Sequence, residues 1–317
     1  MTNIRVPDER PFLTSDNTAL FFRHWPALAA GPVPKVIVLF HRGHEHSGRL
    51  QHIVDELAMP DTAFYAWDAR GHGQSPGPRG YSPSLARSVQ DVDEFVRFAA
   101  ADSQAAMEDV VVVAQSVGAV LAATWAHDYA PSIRGLVLAS PAFKVKLYVP
   151  FARPGLALMH RLRGLFFVNS YVKGKYLTHD PERVASFNQD KQITRAIAVN
   201  ILLDLYKTAE RIVSDASAIT LPVQLLVSGD DFVVHRQPQI DFYQRLRSPL
   251  KELYVLPGFY HDTLGEKDRH LAFDKMRDFI HTLYAMPPQR FDYRNEDRWS
   301  PGADSWRLLS GGPAPYS

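Results

Sequence analysis

The chain has 317 residues, 46% hydrophobic and 22% charged, an ordinary globular composition with material for a sizeable core. Its 35 Lys and Arg against 34 Asp and Glu leave a formal charge of +1, which gives no global electrostatic case for a nucleic-acid partner. With no cysteine, disulfides, thiolate nucleophiles and Cys-based zinc sites are excluded, while the redox compartment stays open.

This length accommodates about two units of ordinary domain size, although large open-sheet α/β folds use it in one body. The opening MTNIRVPDERPFLTSDN carries charges and prolines where a secretory signal needs an apolar run. The longest apolar runs, such as VIVLF at 36–40, are far too short to span a bilayer. The expectation is a soluble, cytoplasmic protein.

Short apolar runs alternate with stretches of helical periodicity. VIVLF (36–40) precedes a helix over 47–58, and AFYAWD (63–68) precedes a stripe of Leu85, Val89, Val92, Val96 and Ala99 at helical spacing. DVVVVA (109–114) runs straight into the helix VGAVLAATWAHDYA. GLVLAS (135–140), PVQLLVS (222–228) and KELYVLP (251–257) complete the strand series. A closing helix carries the stripe Ala272, Met276, Phe279, Ile280 and Leu283. Strands apolar throughout, alternating with helices, predict an α/β fold with a mostly parallel central sheet covered on both faces.

One interval breaks this rhythm, because the stretch between GLVLAS and PVQLLVS far exceeds the dozen residues that a crossover needs. The reading is a core over 1–142 and 218–286, a helical cap inserted over 143–217, and a C-terminal extension or linker over 287–317, rich in Pro and Gly. Within the insertion Ile197, Ile201, Leu205, Ala209 and Ile212 share a helical face. From Phe143 to His179 it holds Lys144, Lys146, Arg153, Arg161, Arg163, Lys173 and Lys175 and no acid, interleaved with Leu156, Leu158, Met159, Leu162, Leu165, Phe166 and Phe167.

Chemistry enters at Ala114-Gln115-Ser116-Val117-Gly118, a serine between a buried strand and a helix with small residues two before and two after it. Such a turn raises the hydroxyl above the sheet edge, at a helix N-terminus that favours a developing negative charge. Alone, the pentapeptide reads equally as a tight strand-to-helix turn. A serine nucleophile needs a base, and the base an acid. Both occur after later strands: Asp230 and Asp231 follow PVQLLV, and His261 follows KELYVL, in the Ser, Asp, His order of this fold. As a loop or helix cap, either aspartate has a structural reading too, and His261 could be a satisfied loop histidine.

These residues resemble the monoacylglycerol lipase and lysophospholipase-like branch of the α/β-hydrolases, which includes serine aminopeptidases. His41 to Arg49 (HRGHEHSGR) is similar to that branch's HGxGEHSGR loop, Asp68 to Ser75 (DARGHGQS) to its DxRGHGxS segment, and Gly258 to Glu266 (GFYHDTLGE) to its GxxHxxxxE loop. The likeness covers about residues 12–285. It implies an α/β-hydrolase fold with Ser116 as nucleophile, His261 as base and Asp231 as acid, Asp230 being held in reserve. It further implies an oxyanion hole from the backbone N–H groups of Gly43 and Val117. Two departures stand out. Ala114 replaces the first elbow glycine, and Arg42 replaces the glycine after His41. Arg42 could re-aim the Gly43 N–H, reach an anionic group on the substrate, or be a plain solvated arginine.

The histidines His41, His44 and His46, with Glu45 nearby, superficially resemble a metallohydrolase loop, but HRGHEHS lacks the HxHxDH spacing; no metal is expected, and His41 and His46 read as structural groups pinning the loop. Gly71 to Pro76 fails as a dinucleotide motif because proline breaks it before a helix, and no phosphate-binding GxxxxGKS/T is present. No cofactor is expected. The implied reaction is hydrolysis of a monoacyl lipid ester, monoacylglycerol or lysophospholipid, through an acyl-enzyme. The apolar cap would take the acyl chain, and its cations would make peripheral contact with an anionic membrane. The alternatives are a hydrolase-shaped binding or regulatory module with weak or no turnover, or a metallohydrolase using the histidine loop.

Overall fold

The structure is a computed structural model that describes residues 5–29, 34–146 and 152–287, so the extension expected over 287–317 lies, past Pro287, outside the described residues. Eight strands form one sheet: β1 (Asp8–Leu13), β2 (Ala19–Trp25), β3 (Lys35–Phe40), β4 (Thr62–Trp67), β5 (Val110–Gln115), β6 (Gly135–Ala139), β9 (Val223–Ser228) and β10 (Lys251–Leu256). Their spatial order is β1-β2-β4-β3-β5-β6-β9-β10. Every pair from β4 to β10 is parallel, while β2 runs antiparallel to both β4 and β1. The N-terminal hairpin is absent from the sequence reading. Its strands alternate exposed and buried residues, as in Ala19–Trp25 where Leu20, Phe22 and Trp25 are buried, so it lacks the continuous apolar signal of a strand covered on both sides.

In the parallel strands the two-residue period sends apolar side chains to both faces. Val36, Val38 and Phe40 of β3 and Val110, Val112 and Ala114 of β5 point into one cluster; Ile37, Leu39, Val111 and Val113 point into the other. The helices α2 (Leu85–Asp102) and α3 (Val117–Tyr129) close the first face, and α1 (Gln51–Leu57) and α8 (His270–Ala285) the second. All five apolar residues of the closing-helix stripe are buried on that second face. The edge strand β10 is mostly half-buried, not fully covered like its neighbours.

Between β6 and β9 lie α4 (Ala152–Arg163), β7 (Phe167–Asn169), α5 (Pro181–Gln189), β8 (Ala196–Ala198) and α6 (Val199–Ser214), and α7 (Gln237–Arg245) joins β9 to β10. β7 and β8 form a separate antiparallel ribbon. Ile197, expected on a helical face, lies instead in β8, because the helix begins only at Val199. Leu205, Ala209 and Ile212 of α6 bury into the first core cluster, whereas α4 buries no residue. No helix among the described residues is long and apolar enough to cross a membrane.

The chain passes from β3 to β4 on one side of β3, then crosses to β5 on the other. This reversal opens a crevice at the carboxyl ends of β3 and β5, where open α/β sheets bind their ligands.

Candidate active site

Ser116 stands at that crevice, between β5 and α3, with φ 56° and ψ −116°. A positive φ at a non-glycine residue costs of order 1–3 kcal/mol and persists only where the surroundings enforce it. Here the backbone is held on both sides. Ser116 N–H donates to Ala139 O at 3.0 Å, and its carbonyl accepts from Val120 and Ala142 N–H at 3.2 and 3.1 Å. Gly118 permits the turn, since a Cβ there would lie 2.5 Å from the His41 carbonyl oxygen. The Ala114 methyl, by contrast, packs in the core and leaves the turn intact.

The loops after β9 and β10 bring the other two groups to the serine. Ser116 Oγ lies 2.7 Å from His261 Nε2, and His261 Nδ1 lies 2.7 Å from Asp231 Oδ2. The second Asp231 oxygen accepts the N–H groups of Val233 and Val234 at 2.7 and 2.9 Å. Burial works against its charge, but the His261 imidazole and these N–H groups outweigh it and hold the carboxyl below its ordinary range. All three side chains are buried. Asp230 is exposed, and its backbone N–H donates to Phe259 O of the histidine loop at 2.9 Å.

A polar cluster missed in the sequence supports both loops. Thr263 Oγ1 donates to Ser140 Oγ at 2.8 Å and lies 2.9 Å from Ser228 Oγ, which ties the histidine loop to the ends of β6 and β9. Isolated hydroxyls at three strand ends carry no motif, so only their convergence reveals them. The family-like segments prove to be loop anchors. Asp68 accepts Ser47 N–H and Oγ–H, both at 2.6 Å, and Gln74 N–H at 2.8 Å. Glu266 accepts the Tyr260 and His179 N–H groups at 2.9 and 3.0 Å.

The loop after β3 carries Gly43 against Val117; an ideal Cβ at Gly43 would lie 3.1 Å from Val117 Cγ2. Val117 opens α3, where a backbone N–H has no partner within the helix. The loop histidines point to separate partners. His41 has Nδ1 2.6 Å from Arg42 O and Nε2 3.1 Å from Ala69 N, and His46 has Nε2 2.8 Å from Asp190 and Nδ1 3.2 Å from Gly48 N. His44 sits at φ 73° and lines the cavity at the serine, with burial driving its pKa down to about 4. Among the described residues no three His, Cys, Asp or Glu side chains are arranged to hold a metal ion.

Arg42 is not the solvated arginine that one sequence reading allowed. Its side chain is 4% exposed, with Nε 2.9 Å and Nη2 2.5 Å from the two Glu45 oxygens and Nη2 3.4 Å from Asp262 Oδ2. Glu45 also accepts from Arg49 at 2.8 Å, and Asp262 from Arg183 of α5 at 3.0 Å. Burial opposes the charges of Arg42, Glu45 and Asp262. The arginines nonetheless hold Glu45 down to about 2 and Asp262 well below the carboxylate range, and the two carboxylates push the Arg42 guanidinium upward.

Ser116, His261, Gly43 and Val117 all line one cavity of about 90 Å³. Its other walls are mainly apolar, with Leu177, Phe187, Ile197, Leu202 and Leu205 contributed by the chain between β6 and β9.

Comparison with known proteins identifies the family. The family model described as serine aminopeptidase, S33, matches residues 31–268. The chain is 79% identical over 317 residues to the uncharacterized protein YnbC of Escherichia coli, covering all of this chain and 54% of that protein, so it spans about half of that relative's length. It is 27% identical over 250 residues to a monoacylglycerol lipase of Mycolicibacterium smegmatis, covering 77% of this chain and 87% of that one. The crystal structure of a Paleococcus ferrophilus monoacylglycerol lipase superposes with a TM-score of 0.73 at 22% identity, covering 83% of this chain and 99% of that one. The chain therefore belongs to the serine aminopeptidase S33 family of α/β-hydrolases, in its monoacylglycerol lipase-like branch.

Proposed function

We propose that this chain is a serine carboxylic ester hydrolase acting on monoacyl lipids, monoacylglycerol or lysophospholipid, through an acyl-enzyme. The observation that carries the reading is the continuous hydrogen-bond line from Ser116 Oγ through His261 to Asp231, with both distances at 2.7 Å. His261 takes the hydroxyl proton as Ser116 Oγ attacks the ester carbonyl, and Asp231 keeps Nδ1 protonated so that Nε2 is the accepting nitrogen. The Gly43 and Val117 N–H groups receive the developing oxyanion. As the C–O bond breaks, His261 returns the proton to the departing alcohol. Water then attacks the acyl-enzyme with the same histidine as base, releasing the fatty acid and the serine hydroxyl. Each step balances with the ester, water and these side chains.

The mainly apolar cavity wall supports an acyl chain, with 143–217 acting as the cap over the serine. A soluble ester substrate would not call for the surface of α4, where Leu158, Met159 and Leu162 are exposed beside Arg161 and Arg163. That surface supports peripheral contact with an anionic membrane. Fatty-acid release from micellar monoacylglycerol and lysophospholipid tests the reading. Ser116→Ala should lower turnover of the accepted lipid by on the order of 10⁶-fold while the unfolding temperature holds. Undiminished turnover in the folded variant, or none by the unmodified protein on either lipid, would remove the reading.

A further inference from the structure

We propose that Arg42 is a positioning residue, joining the loop that carries Gly43 to the loop that carries His261 through a buried ion pair with Asp262. The inference rests on the serine-ester reading and goes beyond it, since that reading needs only the triad and the two backbone donors.

Arg42 immediately precedes Gly43 and Asp262 immediately follows His261, so a link between these two side chains fixes the relative placement of donor and base. The link is built on both sides. Glu45 grips the guanidinium through Nε and Nη2, which leaves Nη2 turned to Asp262 at 3.4 Å. Asp262 is held in turn by Arg183 at 3.0 Å and by Gln115 Nε2 at 3.2 Å; Gln115 adjoins the nucleophile and also donates to the His261 carbonyl at 3.3 Å. Three loop segments, carrying Gly43, Ser116 and His261, thus converge on one carboxylate.

Stability is a poor account of this arrangement. Burying an ion pair costs desolvation comparable to its attraction, and Arg42 Nη1 is buried without a hydrogen-bond partner among the described residues, a further cost. Fixing geometry is the better account, because oxyanion donors act only when aimed at the position the charged oxygen will occupy. It also explains how a long cationic side chain stands beside Gly43 without closing the cavity: the guanidinium is drawn back onto Glu45 and Asp262.

The test measures kcat and KM for p-nitrophenyl butyrate in the unmodified chain, Arg42→Met, Arg42→Lys, Asp262→Asn and the Arg42→Met/Asp262→Asn pair, with unfolding temperature and fluorophosphonate labelling of Ser116 alongside. Arg42→Met should lose about 10²-fold in kcat, the scale of one oxyanion donor, with KM within about twofold. Arg42→Lys should recover part of that loss, and the double variant should be no slower than the slower single variant. Full kcat in folded Arg42→Met, or losses that multiply in the pair, would overturn the proposal. Should Arg42→Met fail to fold, Asp262→Asn decides alone: lowered kcat at constant KM supports the link and full kcat refutes it. An unmodified chain that neither labels nor hydrolyses ester would instead remove the serine reading and this inference with it.

Discussion

Ser116 keeps a backbone conformation that few residues tolerate, and three backbone hydrogen bonds maintain it. Its neighbours divide the remaining work, and the division is clearest between two adjacent aspartates. Asp231 turns its carboxylate to His261 and two backbone N–H groups, whereas the Asp230 carboxylate takes no part in that line. Asp231→Asn should therefore lower kcat by about 10⁴-fold, because an amide leaves the imidazole in the wrong tautomer. Asp230→Asn should stay within about twofold of the parent, as an exposed substitution ordinarily does. Ester hydrolysis by the two purified variants checks the pair, and equal losses would contradict the geometry. The candidate serine and histidine were legible from their places after two strands and from the order of the residues, whereas strand placement left Asp230 and Asp231 equal and only the family resemblance favoured Asp231. The course of Arg42 was not, because its partner Asp262 lies 220 residues away and nothing in either local sequence indicates that they meet.

At the scale of elements, the parallel strands and their helices were readable because burial on both faces makes a strand continuously apolar. The first two strands escaped notice for the opposite reason, their half-polar alternation. In the β6–β9 region periodicity alone could not separate Ile197, in a short strand, from the helix that follows it. The helix α4 combines a sequence signal with a structural one. It buries nothing, and Leu158 and Leu162, one turn apart, are 59% and 74% exposed. The basic run is not wholly free for a surface, since Arg153 pairs with Glu210 and Lys146 donates to the Asp231 carbonyl. Arg161 and Arg163 have no ion pair among the described residues. Replacing Leu158 and Leu162 by Ser should weaken binding to anionic phospholipid vesicles in co-sedimentation by up to about 10³-fold, at about 2 kcal/mol for each fully inserted leucine, and leave hydrolysis of a soluble short-chain ester unchanged. Equal vesicle binding by the double variant would dismiss this helix as the contact.

For the whole molecule, the sheet order decides where chemistry can occur. The reversal around β3 places the Gly43 loop and the Ser116 elbow at one crevice, and the loops after β9 and β10 bring Asp231 and His261 beside it. The same packing leaves neutral histidines in low-polarity surroundings: burial holds His44 near 4 and His52 and His72 near 3, against an ordinary value of 6.5. The unfolded chain takes up protons at these groups before the folded chain does, so stability is full above about pH 6.5 and falls as the pH drops toward 4. Glu45, held near 2 by Arg42 and Arg49 against its burial, adds a further loss below about 4.5. Calorimetric unfolding at constant ionic strength should show a midpoint that declines from pH 6.5 to 4, and a flat midpoint there would contradict the buried neutral state of these rings. The central claim concerns Ser116 itself, and intact-mass measurement after exposure to a fluorophosphonate probes it without assuming a substrate. A single phosphonyl adduct on the native chain, absent from Ser116→Ala, is the predicted result; no adduct on the native chain, or one that survives in Ser116→Ala, would contradict the account.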